Sequence, residues 1–206
     1  QRAIEWANKL SKPLLIFEPL TIDYPMASIR FHKFAIEGMQ DIQKQTEKSK
    51  AFYFPYVEEK RGVADKLLIE LAKNAAVVIT DDYPTYFVPQ MTAEAKGSIQ
   101  TTYELVDSNG LLPIRIAEKE YVRAHDFRRF MHKNIEDFLV EVPEKDPLEY
   151  LNLKFDKKIL DTFFEHIKYK NKNFLKYLNI NKTFLINDKY NRFDNHVKTE
   201  NIYIYG

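Results

Sequence analysis

Three apolar runs of this chain close on acids. LLIFEP (14–19) carries Glu18, AVVITDDYP (76–84) leads into Asp81 and Asp82 followed by Tyr83, and TYELVD (102–107) stops at Asp107 with Asn109 two residues on. Carboxylates and an amide at the ends of buried strands have two uses. They can hold the donor groups of a ligand, or they can end the strand and cap the next element through side-chain to backbone hydrogen bonds. Adjacent side chains point apart, which argues against Asp81 and Asp82 sharing one cation. If the three runs are parallel strands, Glu18, Asp81, Asp82, Tyr83, Asp107 and Asn109 fall on one rim, where open α/β sheets bind ligands.

Other chemistries lack their residues. Phosphate cradles need clustered glycines, and the chain has only Gly38, Gly62, Gly97, Gly110 and Gly206, so neither GxGxxG nor a Walker loop can be written. Gly-x-Ser-x-Gly, the nucleophile elbow, is missing as well. His32, His125, His132, His166 and His196 have no i, i+4 partner and no HExxH context, and with no cysteine there is no thiolate nucleophile or Cys-based metal site. The expectation is therefore no catalytic residue and no metal site on this chain. One further candidate is HIKYKNKNFLKYLNINK (166–182), where lysines alternate with Tyr169, Phe174 and Tyr177. That is the composition of a single-strand nucleic-acid binder, although Leu175, Leu178 and Ile180 compete for the aromatics as core.

The rim requires strands alternating with helices. QRAIEWANKLSK has helical spacing in Ala3, Ile4, Ala7 and Leu10 but no capping residue ahead of it. Because such domains normally start on a strand, a first strand is expected upstream. The 14–19 run reads as a parallel strand, 27–44 as a helix, and AFYFPYV (51–57) as a strand whose Pro55 implies an edge position or the strand's end. Val63–Lys73 is helical, 76–80 a strand, 87–96 a weaker helix and 102–107 a strand closed by Ser108-Asn109-Gly110. After IRIA (114–117) a long helix is predicted over 121–140, with Phe127, Phe130, Met131, Ile135, Phe138 and Leu139 in one stripe. The fold expected is α/β, a Rossmann-like parallel sheet with helices on both faces, followed by a helical to irregular extension. Residues 1–140 form the α/β domain, 141–155 a linker with two prolines among charges, and 156–206 the extension.

With 206 residues, 45% hydrophobic and 14% aromatic, the chain can bury a sizeable core, and 31 basic against 30 acidic side chains produce no global field for nucleic acid or membrane. No apolar run approaches the roughly 20 residues of a spanning helix and no secretory pattern stands at the amino end, so a cytoplasmic monomer away from the membrane is expected.

The order WANKLSKPLLIFEPLTIDYPMASIRFHKFAIEGM, FYFPYVE, VVITDDYPTYFVPQM, VDSNGLLPIRIA and AHDFRRFMHK resembles the amino-terminal α/β domain of the DNA photolyase and cryptochrome family, nearest its class II and related branches. The likeness covers roughly residues 1–150, with VDSNGLLP (106–113), ASIRFHKFAIEGM (27–39) and VVITDDYP (77–84) its most specific pieces. It implies a parent enzyme, a carbon–carbon lyase, that splits ultraviolet-induced pyrimidine dimers in DNA by light-driven electron transfer from reduced FAD. In that family a carboxyl-terminal helical domain holds the flavin and the damaged DNA. The α/β domain packs against it and in many members carries a deazaflavin or folate antenna. By this likeness the present chain is not catalytic alone. Its share is antenna binding at the rim and domain docking, with the helix bearing Arg128 and Arg129 near the interface. Where relatives tend to show a proline-containing linker near an Ile-Asp-His-Ser stretch, this chain has LNINKTFLINDKYNRFDN (178–195). Two alternatives stay open: a Rossmann-like nucleotide-binding or signalling module whose rim acids hold ribose hydroxyls, and a cryptochrome-like protein without repair activity.

Overall fold

The structure is a computed structural model that describes residues 1–22, 24, 27–58, 61–140, 142–156 and 158–159. Strand and helix alternate as α1 (Arg2–Leu10), β1 (Leu15–Leu20), α2 (Ile29–Thr46), β2 (Phe52–Val57), α3 (Val63–Lys73), β3 (Val77–Asp81), α4 (Val88–Ser98), β4 (Thr102–Val106) and α5 (Ala124–Asn134). Short 3-10 turns cover Ile114–Ile116, Ile135–Phe138 and Pro147–Tyr150. Among the described residues all pairing is parallel: Leu15 to Leu20 lie beside Phe52 to Val57, and Val77 to Asp81 beside Thr102 to Val106. These are two separate two-stranded sheets, β1–β2 and β3–β4.

The β1–β2 pair carries the main core. Phe54 and Tyr56 pack with Ala64 and Leu67 of α3, and Leu15, Phe17, Phe52 and Leu71 close around them. Full burial of side chains this size is worth about 1.5–3 kcal/mol each. The opposite face is used by α1, whose Ile4 and Ala7 meet Leu14, Ala51, Leu148 and the fully covered Leu151. Helices thus lie on both faces, as the pattern of apolar runs predicts. Both also bridge the two pairs. Arg2 and Trp6 of α1 reach Glu104 on β4 (2.5 and 2.6 Å), and the Thr101 hydroxyl, at the foot of β4, donates to the Ala72 carbonyl of α3 (2.8 Å).

Local chemistry sets the ends of the elements. Ser28 is extended and its hydroxyl accepts from the Phe31 amide, the N-cap that starts α2. Pro55 faces Glu18 across the ladder, and β2 has β1 as its one ladder partner among the described residues, in line with an edge position for the proline. The 121–140 helix is corrected: α5 ends at Asn134 and tightens into a 3-10 turn. The Asn134 side chain donates to the Phe130 carbonyl (2.7 Å), and Glu136 and Asp137 place negative charge at the negative end of the helix. No residue of α5 is buried, so packing does not extend the helix past these signals. Tyr121, Phe127 and Phe130 instead form their own ring cluster at 5.3–6.3 Å.

The proline-containing segment after residue 140 returns to the α/β body. Asn8 donates to the Tyr150 carbonyl and accepts from the Asn152 amide, the Phe155 amide bonds to the Lys50 carbonyl, and the Phe155 ring stacks on Phe52 at 5.2 Å. The helical reading of 156–168, the lysine–aromatic stretch 166–182 and the departure at 178–195 lie on or run into residues outside those described. Among the described residues no helix is long and apolar enough to cross a membrane.

Candidate functional site at the β3–β4 rim

Four of the six sequence-predicted site residues converge beyond the carboxyl ends of β3 and β4. The Asp82 amide bonds to the Val106 carbonyl (2.8 Å), which carries the ladder one residue past β3 and sets the two loops side by side. Ser108 donates its hydroxyl to Asp81 Oδ1 (2.8 Å), and Asn109 donates its side-chain amide to the Asp82 carbonyl (2.8 Å). Asp107 folds its own loop: Oδ1 accepts from the Asn109 amide (3.2 Å) and Oδ2 from the Ile114 amide (2.7 Å). Arg115 then grips Asp82 with both prongs, Nη2 to Oδ1 at 2.7 Å and Nε to Oδ2.

This geometry fixes the charge states. The hydrogen bonds from Arg115 hold the Asp82 carboxyl below its ordinary range, and Asp82, with a smaller contribution from Asp107, pushes the Arg115 guanidinium up. Asp82 pairs with this guanidinium, Asp107 adds to the field around it, and Asp81 stands on the same rim. A rim so charged repels phosphate and favours a ligand that presents hydrogen-bond donors.

Glu18 and Tyr83 stand apart from this network. The buried Tyr53 hydroxyl donates to Glu18 across the β1–β2 pair, and burial followed by the Glu18 hydrogen bond pushes the Tyr53 pKa far up. Tyr83 is 42% exposed and belongs to an aromatic stretch with Tyr86 and Phe87 in the β3–α4 connection. Phe87 stacks on Tyr24 at 6.2 Å, and Tyr24 meets the edge of His32 at 5.4 Å. Burial lowers the His32 pKa, which keeps the ring neutral. Tyr86 is 86% exposed and left-handed (φ 59°), a conformation costing an aromatic residue about 1–2 kcal/mol.

Two residues escaped the sequence reading. Arg115 was invisible because its partner is 33 positions away. Glu58, 2% exposed, accepts from the Val63 and Ala64 amides at the start of α3 (2.9 and 3.2 Å) and from the Ile22 amide (3.2 Å). Its signal was a carboxylate five residues ahead of a helix whose N-cap, Gly62, has no side chain to offer. Among the described residues no group of three or more His, Asp or Glu side chains is arranged to hold a metal ion.

No protein-family model matches the chain. Over 155 residues, 75% of its length, the chain is 30% identical to a deoxyribodipyrimidine photo-lyase of Methanothermobacter thermautotrophicus. The match spans 33% of that protein, so the chain corresponds to about one third of its relative's length. Taken with the parallel α/β architecture and the order of its strand-end motifs, this likeness supports the photolyase family for the chain.

Proposed function

We propose that this chain is the α/β portion of a photolyase-like flavoprotein whose complete form repairs ultraviolet-induced pyrimidine dimers in DNA. The observation that carries the reading is the 30% identity to a deoxyribodipyrimidine photo-lyase across three quarters of the chain. In this reading FAD and the damaged DNA belong to a helical domain beyond the present residues, and the nearest branch is class II. The chain's own role is to bind an antenna chromophore and to dock that domain.

The rim suits a flat, donor-bearing heterocycle such as a deazaflavin or folate better than a nucleotide. Tyr83, Tyr86 and the Tyr24–Phe87 stack offer ring faces for it to lie against. Asp81, Asp82, Asp107 and Asn109 frame the loops and add negative potential that a ligand's N–H and O–H groups meet. When bound, such a pigment supplies absorbed light energy. The residues here hold it, orient it and keep phosphates away.

The test has two arms. The complete protein, purified in the dark, is expected to carry flavin and to remove thymine dimers in light but not in darkness; absence of both overturns the photolyase reading. The present chain is expected to be thermally stabilised by a deazaflavin or folate, because only the folded state gains binding free energy. Stabilisation by adenine nucleotides alone would show a nucleotide-binding module instead. If no pigment stabilises the chain, the antenna role fails while the repair reading is judged by the first arm.

A further inference from the structure

α2 buries one side, with His32, Ile36, Met39 and Thr46 against the body of the protein, and its other side is apolar where a surface helix is ordinarily polar. Phe31, Phe34, Gly38 and Ile42 follow one another there at spacings of three and four, a stripe about 16 Å long. Phe34 is 77% exposed, Phe31 45% and Ile42 37%. No element among the described residues covers them.

The stripe has a hole in it. Gly38 sits inside an 18-residue helix, where glycine costs stability relative to alanine, and nothing lies within 4 Å of the place its Cβ would take. Packing within the chain therefore gives no reason for a glycine at this point. A neighbour that comes close to the helix from outside does.

The stripe and the hole complement each other when the helix is reversed. Laid antiparallel on a second α2 about a two-fold axis level with Ile36, Phe34 meets the partner's Gly38 and Phe31 meets the partner's Ile42. In such an isologous contact every pairing occurs twice. The charges obey the same reversal. Arg30 and Asp41 lie on one flank of the stripe, and the antiparallel arrangement sets each Arg30 opposite the partner's Asp41. Both ends are available: the Arg30 guanidinium rests over the Phe31 ring at 5.9 Å with no carboxylate partner among the described residues, and Asp41 takes the Lys44 ammonium on Oδ1 alone (3.1 Å). A parallel pair would instead set arginine against arginine and aspartate against aspartate, which is repulsive.

We propose that α2 is a self-association surface, on which two copies of this chain pair antiparallel with the Phe34 ring of each seated over the partner's Gly38 and Arg30 paired with the partner's Asp41. An interface built from one helix of each copy belongs to the small, transient class, so the dimer forms and dissociates with concentration. This assignment stands on α2 alone and is independent of the photolyase reading.

Sedimentation equilibrium of the 206-residue chain from micromolar to millimolar concentration should show a monomer–dimer equilibrium. Phe34→Ala and Gly38→Leu should each raise the dissociation constant by about tenfold or more, the first by emptying the seat and the second by filling it, while circular dichroism shows the fold retained. Arg30→Glu and Asp41→Arg should each weaken the dimer by about threefold or more, because each then sets like charges opposite one another. An equimolar mixture of these two variants should recover the parental affinity, since each mixed dimer holds one native and one inverted ion pair. A monomer at every concentration, the state expected from the sequence, overturns the proposal. So does a dimer left intact by Phe34→Ala and Gly38→Leu, which places the contact on another surface, and charge variants as tight as the parent overturn the antiparallel register. If a variant fails to fold, intermolecular nuclear Overhauser contacts between the Phe34 ring and the Gly38 Hα protons, in a mixture of labelled and unlabelled parent, decide the same question, and their absence overturns it.

Discussion

Glu58 offers the sharpest check on how the loops around the sheet are held. Its Oε1 accepts two amides at the start of α3 and its Oε2 accepts the Ile22 amide from the β1–α2 connection, all at 2.9–3.2 Å, in a site 2% exposed. Replacing Glu58 by Gln keeps the shape but exchanges one acceptor oxygen for a donor. Whichever way the new amide turns, at least one backbone N–H is left facing an NH2 group. The lost charge at a helix N-terminus costs about 0.5–2 kcal/mol, and a buried amide without its acceptor about 1–3 kcal/mol. The sum, about 1.5–5 kcal/mol, corresponds to a melting temperature lower by about 3–20 °C for a chain of this size. Glu58→Ala strands all three amides and should cost more. Glu37→Gln is the control: it breaks an exposed i, i+4 pair with Lys33 at 3.8 Å and should stay within about 0.5 kcal/mol. Urea midpoints and far-ultraviolet circular dichroism melts measure all three. A Glu58→Gln protein within about 0.5 kcal/mol of the parent would refute the claim that this carboxylate caps α3 and ties it to the β1–α2 loop.

The titrating groups carry two more expected outcomes. Burial raises the pKa of Tyr24 and Tyr103, and burial plus the Glu18 hydrogen bond raises that of Tyr53, so the folded chain keeps three protons that the unfolded chain releases above about pH 10. Stability should be fully present below that pH and fall above it, and phenolate absorbance should show these tyrosines ionising at higher pH in the folded chain than in the unfolded one. Asp82 has the opposite sign: its folded pKa is depressed by Arg115, so the latch holds above the ordinary carboxylate range and opens as pH falls through the lowered value. Asp82→Asn should therefore shift the backbone amide resonances of residues 107–115 at neutral pH, as acidification does in the parent, while leaving those of β1 and β2 in place.

The sequence made the alternation of strand and helix legible because each apolar run is bounded by a local signal. Ser28 caps α2 from three residues away, Pro55 marks β2 in place, and an acid stands at the carboxyl end of each of β1, β3 and β4. The same locality explains the overreach at 121–140. The apolar stripe continues past Asn134, but the side-chain bond to the Phe130 carbonyl and the acids Glu136 and Asp137 end the helix, and no core holds it longer. At the candidate site the strand-end residues Asp81, Asp82, Asp107 and Asn109 could be named in advance. What they do to one another could not, because Ser108 to Asp81, Asn109 to Asp82 and Arg115 to Asp82 each join residues 27 or more positions apart. Glu18 shares their residue type and strand-end pattern, but its bond is to Tyr53 on the neighbouring strand rather than to the rim.

That internal bonding changes what the acids contribute. A carboxylate already accepting from a hydroxyl, two amides or a guanidinium has fewer lone pairs to give a ligand, so each ligand contact must compete with a bond that shapes the loop. In the antenna site proposed above, the discriminating contacts would then fall to the ring faces of the β3–α4 connection, with the acids acting at longer range through their shared negative potential. Asp107 illustrates the trade. Both of its oxygens close the 107–114 loop, and replacing it would loosen the turn that brings Arg115 to Asp82 before it removed any direct ligand contact. Loss of binding in an Asp107 variant therefore reports on loop order, whereas loss on replacing Tyr83, whose side chain is exposed and takes no part in this bracing, reports on the ligand.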